Sequence, residues 1–339
     1  MDWRHGFPFP ERLSSVHDMN DKPSAGAENE FRSGFVALLG EPNVGKSTLL
    51  NAILDFKVAI VSHKPQTTRD RIAGIYTDDS RQIVFIDTPG VMEPRDRFNE
   101  CLRDRALEAV EGADVVYHLV EAPDPRPLPP AASAALERLD KPVLLVANKS
   151  DRILGKGDWE GGACAALWGE KTASFNLELY RGVFFISALR RKGLEPLLDA
   201  TRALLPVGPP LYDPDQMTDR DLRFLASEIV REKILEHVHQ EVPYAVATRT
   251  EEFREREGGK RYVRVAIFVE HDSQKAIVVG KGGAMLRQIG SAARPEIEAL
   301  AEHPVYLELW VKVRKNWRKR DSALREFGFR PRTRKQKRG

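Results

Sequence analysis

Short apolar runs alternate with helix-length segments between Phe35 and Leu204, a pattern typical of an α/β domain with a mostly parallel sheet. The runs predict six strands, at Phe35–Leu39, Arg71–Tyr76, Gln82–Ile86, Ala113–Val120, Pro142–Ala147 and Val183–Ile186. The segments between them predict four helices, at Lys46–Leu54, Phe98–Glu111, Ala131–Leu139 and Leu194–Leu204. The many prolines of Glu121–Pro130 exclude a helix interior, so a loop is expected there.

The pattern changes after residues 205–216, a proline-rich stretch that is predicted to link two domains. Apolar residues then recur at helical spacing from Leu222 to Val238, behind a capping box formed by Thr218 and Asp221. Three strands and two helices are predicted beyond it, at Tyr244–Thr250, Tyr262–Val269, Ser273–Val279, Ala284–Leu300 and Val305–Arg314. The predicted order of the second domain is therefore α-β-β-α-α-β.

Composition excludes several classes of protein. No window contains the roughly 18 consecutive apolar residues that a membrane-spanning helix requires. Two isolated cysteines, Cys101 and Cys164, make neither a disulfide framework nor a structural zinc site, so a cytoplasmic protein is expected. Residues 1–33 show neither periodicity nor a signal-peptide pattern, and they are predicted to form a flexible extension.

The net charge of +3 is unevenly distributed along the chain. Residues 311–339 carry 13 Lys or Arg against two acids, a local charge of +11, whereas the first 310 residues sum to −8. Such a basic end is typical of proteins that bind a polyanion, either a nucleic acid or an acidic membrane surface. A tail that only improves solubility is the simpler alternative.

A phosphate-binding loop follows the first predicted strand. The sequence Gly40-Glu41-Pro42-Asn43-Val44-Gly45-Lys46-Ser47 matches G-x-x-x-x-G-K-S between a strand and a helix, as this motif requires. Its backbone N–H groups are expected to bind phosphate oxygens, while Lys46 reaches the β- and γ-phosphates and Ser47 ligates Mg²⁺. The predicted phosphate-binding residues are Gly40, Asn43, Val44, Gly45, Lys46, Ser47 and Thr48.

Three more strands end in motifs that complete a nucleotide site. Asp87-Thr88-Pro89-Gly90 places a carboxylate for Mg²⁺ and an N–H group for the γ-phosphate. In Asn148-Lys149-Ser150-Asp151, the last carboxylate can accept hydrogen bonds from guanine N1–H and its amine, which adenine lacks; this favours GTP over ATP. After the sixth strand, the Ala188 N–H group is expected to bond guanine O6. The predicted guanine-binding residues are Asn148, Lys149, Asp151, Ser187, Ala188 and Leu189.

The segment Pro65-Gln66-Thr67-Thr68-Arg69-Asp70 should supply one more Mg²⁺ ligand when the γ-phosphate is present. We favour the Thr68 hydroxyl, with Thr67 as the alternative. The predicted Mg²⁺ ligands are then Ser47, Thr68 and Asp87. The residues predicted to sense the γ-phosphate are Thr67, Thr68, Asp87, Thr88, Pro89 and Gly90.

The second domain contains a G-x-x-G loop, Gly280-Lys281-Gly282-Gly283, between two predicted helices, where an RNA backbone can approach closely. Beyond the last strand, aromatic residues are interleaved with cations, which can stack on bases and bind phosphates. We expect Trp310 to pack on the sheet and Trp317 to stack on a base. The predicted RNA-binding residues are Gly280, Lys281, Gly282, Gly283, Lys312, Arg314, Lys315, Trp317, Arg318, Lys319 and Arg320.

With all these motifs in line, the sequence resembles the Era GTPase family from about Ser33 to Phe329. The resemblance implies a Ras-like P-loop GTPase domain with a mostly parallel sheet, followed by an α+β type II KH domain. The expected boundaries are 1–33 for the extension, 34–204 for the GTPase domain, 205–216 for the linker, 217–314 for the KH domain and 315–339 for the basic tail.

The resemblance also implies a function. The protein would hydrolyse GTP to GDP with Mg²⁺, bind small-subunit (16S-type) ribosomal RNA near its 3′ end, and act as a monomer in maturation of the 30S subunit. It would be cytoplasmic, and peripheral association with the inner membrane is a further implication. A bacterial protein is expected rather than an organellar one, since the sequence shows no transit signal.

Two positions bear on the mechanism. Val91 stands where Ras-type enzymes have the glutamine that positions water, so slow intrinsic hydrolysis is expected unless another side chain in 89–99 substitutes. Asn43 matches a position that helps to hold K⁺ in related potassium-activated GTPases, where the ion supplies positive charge beside the phosphates. The alternative is that Asn43 only stabilises its loop.

In the leading hypothesis the switch segments, Val61–Arg71 and Thr88–Asn99, change order with the nucleotide and so change their contacts with the KH domain. Two other functions stay open. One is an RNA-binding scaffold with weak GTPase activity, against which the intact Lys46 and Asp151 count. The other is a membrane-associated signalling GTPase, linked to growth or the cell cycle, whose basic tail binds acidic lipid.

Overall fold

The computed structural model of the chain describes residues 30–64, 66–94, 96–154, 168–172, 174–239, 241–256 and 259–331. Most of the predicted extension, Cys164 and the tail from residue 332 therefore lie outside the described residues. The chain divides into two compact units. The first comprises residues 1–59, 68–93 and 103–219, and the second comprises residues 60–67, 94–102 and 220–339.

The first unit is built on a six-stranded sheet in the order β2-β3-β1-β4-β5-β6. The strands are β1 (Arg32–Gly40), β2 (Ile72–Thr77), β3 (Arg81–Asp87), β4 (Val115–Glu121), β5 (Val143–Asn148) and β6 (Tyr180–Phe185). Neighbouring strands are parallel except β2 and β3, so the predicted mostly parallel sheet is confirmed. Strands β3 and β5 are buried along their whole length, as is typical of strands covered on both faces.

Among the described residues, this half of the sequence contains the helices α1 (Lys46–Leu54), α2 (Arg97–Gly112), α3 (Pro130–Glu137), α4 (Asp151–Leu154) and α5 (Leu194–Leu204). Helix α3 begins with Pro130, because a proline has the fixed φ of a helix and its missing N–H would be unpaired in the first turn. The predicted proline-rich loop therefore ends one residue earlier than expected. The carboxyl ends of β1, β3, β4 and β5 lie at one edge of the sheet, where the sequence motifs follow them.

The second unit contains a three-stranded sheet in the order β7-β8-β9. Strands β7 (Ala247–Glu255) and β8 (Arg261–Val269) are antiparallel, and β9 (Val305–Val313) is parallel to β8. Its helices are α6 (Leu222–His237), α7 (Val242–Ala245), α8 (Asp272–Val279), α9 (Ala284–Ala301) and α10 (Asp321–Glu326). The predicted α-β-β-α-α-β order is present, with the short α7 inserted before the first strand.

Two local predictions for this unit are wrong. Helix α6 is capped by Asp221, which accepts a hydrogen bond from the Phe224 N–H group, while the Thr218 hydroxyl donates to the Ala73 carbonyl of the first unit's own sheet. The first strand was expected from Tyr244, but Pro243 stands in the first turn of α7 and the strand begins at Ala247. Proline at a helix start explains both the short helix and the delay.

The proline-rich residues 205–216 belong to the first unit and are bound to its sheet. The N–H groups of Leu211 and Tyr212 both donate to Gln82 Oε1, at 2.6 and 2.8 Å. Gln82 Nε2 donates back to the Tyr212 carbonyl at 3.0 Å. Just beyond, the Ile75 N–H group donates to the Met217 carbonyl at 2.9 Å. The segment predicted as a linker thus lies along the β2 and β3 side of this sheet.

Residues 60–67 belong to the second unit through contacts with α6. The Val61 N–H group donates to Glu232 Oε1 at 2.9 Å. The Lys64 ammonium donates to the carbonyls of Leu235 and Val238, at the end of α6, where the helix dipole favours a cation. Most of the predicted first switch segment is therefore anchored to a helix of the second unit.

Residues 94–102 belong to the second unit as well. Phe98 is fully buried and packs edge-to-face against Trp317 and Phe329, with ring centroids 5.3 and 4.9 Å apart. Arg97 forms an ion pair with Asp321, at the start of α10, at 3.1 Å. The end of the predicted second switch segment thus shares a core with the carboxyl-terminal part of the chain.

Candidate nucleotide and RNA sites

The phosphate loop, residues 40–47, connects β1 to α1. Gly45 has a φ of 97°, and a Cβ atom at this position would lie 2.2 Å from Asn148 Nδ2, so no other residue fits. Asn148 Nδ2 donates to the Val44 carbonyl at 2.8 Å. The loop conformation that the motif predicts is therefore fixed by contact with the motif after β5.

Lys46 is buried at the start of α1. Its ammonium donates to the carbonyls of Gly40 and Glu41, at 3.1 and 2.9 Å. Burial lowers the pKa of Lys46 to about 8, although Asp87 and Glu41 act in the opposite direction. Because burial also raises the pKa of Asp87, both members of this charged pair are held in surroundings that disfavour charge. A phosphate group placed here would stabilise the protonated lysine.

Ser47, Thr68 and Asp87 come together as predicted. Ser47 Oγ donates to Asp87 Oδ2 at 2.7 Å, and Thr68 Oγ1 donates to the same oxygen at 3.0 Å. The two hydroxyl oxygens are 2.9 Å apart. Residues from α1, the switch segment and the end of β3 thus meet at one point, which their spacing in the sequence alone does not show.

This group of oxygens fits a magnesium ion. Asp87 is fully buried, and its Oδ1 atom has no hydrogen-bond partner in the structure, which is a costly state for a carboxylate oxygen. Two hydroxyls and one carboxylate are the hard oxygen ligands that Mg²⁺ prefers, alongside phosphate oxygens and water. No cluster of three or more His, Cys, Asp or Glu that could hold a metal occurs among the described residues.

The side chains of Thr67 and Thr68 make different contacts in the structure. The Thr67 hydroxyl donates to the Lys64 carbonyl at 2.6 Å, so it closes a turn within residues 60–67. Only Thr68 lies beside Ser47 and Asp87. This arrangement favours Thr68 as the metal ligand, as the sequence analysis did.

The side chain of Val91, in the segment after β3, is not placed to position water. Val91 is 1% exposed and lies in the core of the first unit, and its N–H group donates to the Gly40 carbonyl at 3.0 Å. Thr88 is also turned inward, with its hydroxyl donating to the Leu38 carbonyl at 2.6 Å. Of the predicted γ-phosphate sensors, Thr67 and Gly90 are partly exposed and the other four are buried.

The guanine motifs are joined by side-chain hydrogen bonds. Ser187 Oγ donates to Asp151 Oδ1 at 2.7 Å and leaves the second carboxylate oxygen for a base. The Ala188 N–H group, expected to bond guanine O6, donates here to Asn148 Oδ1 at 3.0 Å. A bond to O6 would therefore share this donor. Leu189 is 75% exposed, as is suitable for a side chain that covers one face of a base.

Glu121 is a residue of this site that the motifs do not identify. The Lys149 ammonium donates to the Asn43 carbonyl at 2.6 Å and forms an ion pair with Glu121. Glu121 is the last residue of β4, so its place at the carboxyl edge of the sheet was the available signal. Through Lys149, this carboxylate ties the guanine motif to the phosphate loop.

The G-x-x-G loop lies between α8 and α9, as predicted. Gly282 has a φ of 57°, and a Cβ atom there would meet nothing within 4 Å, so the loop presents bare backbone to solvent. Lys281 is exposed beside it. Ile277 is 42% exposed on the preceding helix. Four further apolar side chains of this unit are only partly buried where they pack against its core: Met285, Leu286, Leu307 and Leu309.

The predicted phosphate-binding cations differ in their surroundings. Lys315, Lys319 and Arg320 are exposed. Lys312 pairs with Glu251 and Arg314 with Glu326, both at 2.6 Å. Arg318 makes two hydrogen bonds to Glu270 Oε2, at 2.9 and 2.7 Å, and Glu270 is buried. Arg318 is thus committed to a structural ion pair.

The predictions for the two tryptophans are reversed in the structure. Trp317 is fully buried, and its indole N–H group donates to the Ala245 carbonyl at 2.8 Å, so it cannot stack on a base in this arrangement. Trp310 is 53% exposed on β9. The burial of Trp317 could not be predicted from the local sequence, because the residues that cover it come from distant segments of the chain.

Comparisons with known proteins agree with this geometry. A family described as "50S ribosome-binding GTPase" matches residues 35–149, and a family described as "KH domain" matches residues 241–318. The GTPase Era of Lactobacillus helveticus is 42% identical over 302 residues, covering 89% of this chain and 97% of that protein. The GTPase Era of Geobacter metallireducens is 45% identical over 306 residues, with coverage of 89% and 99%.

Two solved structures match most of the chain. An Aquifex aeolicus Era variant bound to GDP.AlF4⁻ is 37% identical, with a TM-score of 0.80 and coverage of 88% of this chain and all of that one. Era in complex with MgGDPNP and nucleotides 1506–1542 of 16S ribosomal RNA is 36% identical, with a TM-score of 0.80 and coverage of 88% and 99%.

Proposed function

This chain belongs to the Era family of GTPases, and we propose that it binds small-subunit ribosomal RNA near its 3′ end and acts in assembly of the 30S subunit. It hydrolyses GTP through the first unit. The observation that carries the proposal is the meeting of Ser47, Thr68 and Asp87 in the same chain as an exposed G-x-x-G loop. The relative bound to MgGDPNP and 16S RNA supports both parts.

The nucleotide would be held mainly by backbone donors. The N–H groups of residues 43–48 would surround the phosphates at the start of α1, where the helix dipole adds positive charge, and Lys46 would neutralise the outer phosphates. Ser47, Thr68 and Asp87 would hold Mg²⁺, which would supply positive charge to the phosphate oxygens. Asp151 would select guanine, with Ser187 holding its carboxylate in place.

Intrinsic hydrolysis is expected to be slow. Val91 is buried, so the residue that orients water in Ras-type enzymes has no counterpart at that position. We infer that K⁺ beside Asn43 supplies part of the missing positive charge. Asn43 has a φ of 67° and its carbonyl accepts a hydrogen bond from Lys149, so the backbone conformation of the loop at this residue is fixed by that contact. Equal turnover in KCl and NaCl would remove the role of K⁺.

RNA binding would be coupled to the nucleotide through the chain itself. Arg231 of α6 donates to the Thr67 carbonyl, and the next residue along the chain is the proposed metal ligand Thr68. A γ-phosphate that draws Thr68 to the metal would therefore pull on a segment anchored to α6. Phe98, Cys101 and Leu102, which follow Gly90 along the chain, pack in one apolar cluster with Trp317.

Two substitutions test the two halves of the proposal separately. Asp151→Asn should lower GTP affinity and raise that for xanthosine triphosphate, because an amide can donate to the xanthine 2-oxygen. Gly282→Asp should weaken binding of a 16S 3′-end RNA about 100-fold while GTP hydrolysis without RNA is unchanged, since the new carboxylate faces the RNA backbone. Unchanged guanine selectivity would contradict the base contact, and unchanged RNA affinity would contradict the KH assignment.

Peripheral membrane binding is a second candidate role for the basic segment. The exposed Lys315, Lys319 and Arg320 are suited to acidic headgroups as well as to RNA phosphates. No helix in the part of the chain that the structure describes is long and apolar enough to cross a membrane. Flotation with phosphatidylserine vesicles, with and without competing RNA, tests this role; failure to float at low salt would exclude it.

A further inference from the structure

The two faces of the β7-β8-β9 sheet are covered to different extents. The face made by Val263, Val265 and Ile267 packs with α6 and α9 in the main core of the unit. On the opposite face, Ala266 and Phe268 are covered at one end by the cluster around Trp317. The other end of that face has no such cover in the described residues, because the cluster does not extend past Ala266.

The uncovered end carries a group of aromatic and charged side chains, which we call the aromatic–arginine face: Arg254, Arg256, Tyr262, Arg264, Tyr306, Glu308 and Trp310. Strand pairing sets Tyr262 opposite Tyr306 and Ala266 opposite Trp310. Tyr306 and Trp310 are 51% and 53% exposed, the two largest exposed rings of this unit among the described residues. Such exposure of large rings in one patch marks a binding surface more often than chance placement does.

The rings are held in place before any ligand arrives. Tyr262 and Tyr306 are stacked, with centroids 5.9 Å apart and planes 15° from parallel. The Arg256 guanidinium lies 4.2 Å from the Tyr262 centroid and 5.4 Å from that of Tyr306. Trp310 Nε1 donates to Glu308 Oε1 at 2.7 Å, which fixes the indole. Little side-chain entropy would be lost when a flat group stacks here.

We propose that the aromatic–arginine face binds single-stranded RNA, in addition to the groove beside the G-x-x-G loop, with bases stacked on Tyr306 and Trp310 and phosphates near Arg254 and Arg256. The inference rests on the proposed RNA-binding function of this unit. Every base has a π-face, so stacking platforms tolerate any sequence. Tyr306 and Trp310 are four residues apart on one strand, about 13 Å, so they would contact bases that are not adjacent.

Charge decides between RNA and a protein partner. Arg254 and Arg256 are exposed around the rings, and Lys312, which pairs with Glu251, follows Trp310 on the same face of β9. This strand leads directly into Arg314 and Lys315, so the patch continues into the most basic part of the chain. Rings interleaved with cations are typical of surfaces for single-stranded nucleic acid, whereas the core of a protein interface is depleted of charge.

The test compares RNA length in the full chain. A KH loop holds about four nucleotides, so a four-nucleotide RNA should occupy only the G-x-x-G groove, and an RNA of about 12 nucleotides should reach the second surface as well. The double variant Tyr306→Ala with Trp310→Ala should bind the short RNA normally and the long RNA at least about fivefold more weakly. The matched variant Tyr306→Phe with Trp310→Phe keeps both rings and should bind both RNAs like the unaltered protein.

Met217→Ala, at an exposed apolar residue of the first unit, controls for loss of exposed surface and should change neither affinity. Equal affinities of the alanine double variant and the unaltered protein for the long RNA would overturn the inference. An equal loss for both RNAs would also overturn it, since the face would then act on the groove rather than beyond it. Gly282→Asp distinguishes the failures, because unchanged binding in that variant would remove the proposed function itself.

A second measurement does not depend on altered protein. Photo-crosslinking of the unaltered chain to the long RNA, with 4-thiouridine at successive positions, should yield peptides that contain Tyr306 or Trp310 only from positions outside the four-nucleotide groove segment. Crosslinks confined to the G-x-x-G loop and the basic segment would overturn the inference, even if the alanine variant proved unstable. A protein partner on this face would give the same negative result.

Discussion

In the nucleotide site, Lys46, Ser47, Thr68 and Asp87 are already hydrogen-bonded to one another or to nearby backbone, and Asp87 is fully buried. On the RNA-binding surface most of the predicted cations instead reach solvent, and two of them, Lys312 and Arg314, each pair with a single acid. Arg318, which is bound to buried Glu270, is the exception. A single substitution in the nucleotide site is therefore expected to abolish GTP binding, whereas each substitution on the RNA-binding surface should lower RNA affinity only a little. The difference follows from what each region binds: a fixed pair of phosphates and one base, or a flexible polyanion.

The most severe test of the nucleotide site is the substitution Gly45→Val. The new Cβ would lie 2.2 Å from Asn148 Nδ2 at a φ of 97°, so Asn148 must move and release both Val44 and Ala188. Strain and lost hydrogen bonds should together lower GTP affinity by about 10³ or more, measured with a fluorescent GTP analogue. RNA binding should be retained. A loss below about tenfold would show that the loop adapts more freely than the structure indicates.

Trp317→Ala and Trp310→Ala sharpen the comparison within the second unit. Trp317 is fully buried among Phe98, Phe327 and Phe329, so its removal should lower the free energy of unfolding by about 3–5 kcal/mol. Trp310 is half exposed, and its removal should cost less than about 1 kcal/mol. Urea unfolding monitored by far-UV circular dichroism measures both. Equal losses would contradict the assignment of one tryptophan to the core and the other to the surface.

The pH dependence of GTP affinity tests the burial of Lys46. Its pKa of about 8 lies below the ordinary 10.5, and bound phosphates need the ammonium form. GTP affinity should therefore fall about fourfold between pH 7 and pH 8.5, as the free protein loses this proton. The nucleotide-free protein should respond oppositely: between about pH 8 and 10.5 the unfolded chain holds more protons at Lys46, so this group adds stability as pH rises.

Lys46→Met is the control for that prediction, since it removes the titrating group and should flatten both slopes. The remaining slope in this variant reports the other titrating groups, including the nucleotide itself. A slope that is unchanged in Lys46→Met would assign the pH dependence elsewhere.

The smallest effect is expected at the RNA surface. Lys319→Ala with Arg320→Ala should lower RNA affinity several-fold at about 0.1 M salt and reduce the slope of log K against log salt by about 0.7 per lost phosphate contact. Arg318→Ala is the informative comparison, because its guanidinium is bound to buried Glu270. That variant should lower stability, since it leaves Glu270 unpaired, while its salt slope stays unchanged. A normal slope in the double variant would exclude Lys319 and Arg320 from phosphate contact.

The motifs of the nucleotide site could be predicted from the sequence because each follows a parallel strand, and such strands end at one edge of the sheet. The strands and the longer helices were predicted with errors at their ends, where a proline or a cap decides the boundary, but the short helices α4, α7 and α10 were not predicted. The sequence favours Thr68 over Thr67, and the structure adds the direction of the two side chains: the Thr68 hydroxyl donates to Asp87 and the Thr67 hydroxyl to the Lys64 carbonyl. Glu121 was missed because it is the last residue of a strand and belongs to no recognised sequence motif.

The second half was harder to predict for a different reason. The burial of Trp317 depends on residues 94–102, about 220 positions earlier in the chain, and no local sequence pattern predicts that packing. The attachment of residues 60–67 to α6 is hidden in the same way. A charge run shows that cations are present, but whether Arg318 faces phosphate or Glu270 depends on an acid 48 residues away.

The path of residues 205–219 has a consequence for the open edge of the first unit's sheet. Strand β2 is the outermost strand on its side of the sheet, and the open edge of such a strand is a template for pairing with another chain. Met217 and Thr218 pair antiparallel with Gly74 and Ile75 and cover part of this edge. A fragment that stops at residue 204 would leave the edge bare and should self-associate on size-exclusion chromatography. One that stops at residue 219 carries its own protection.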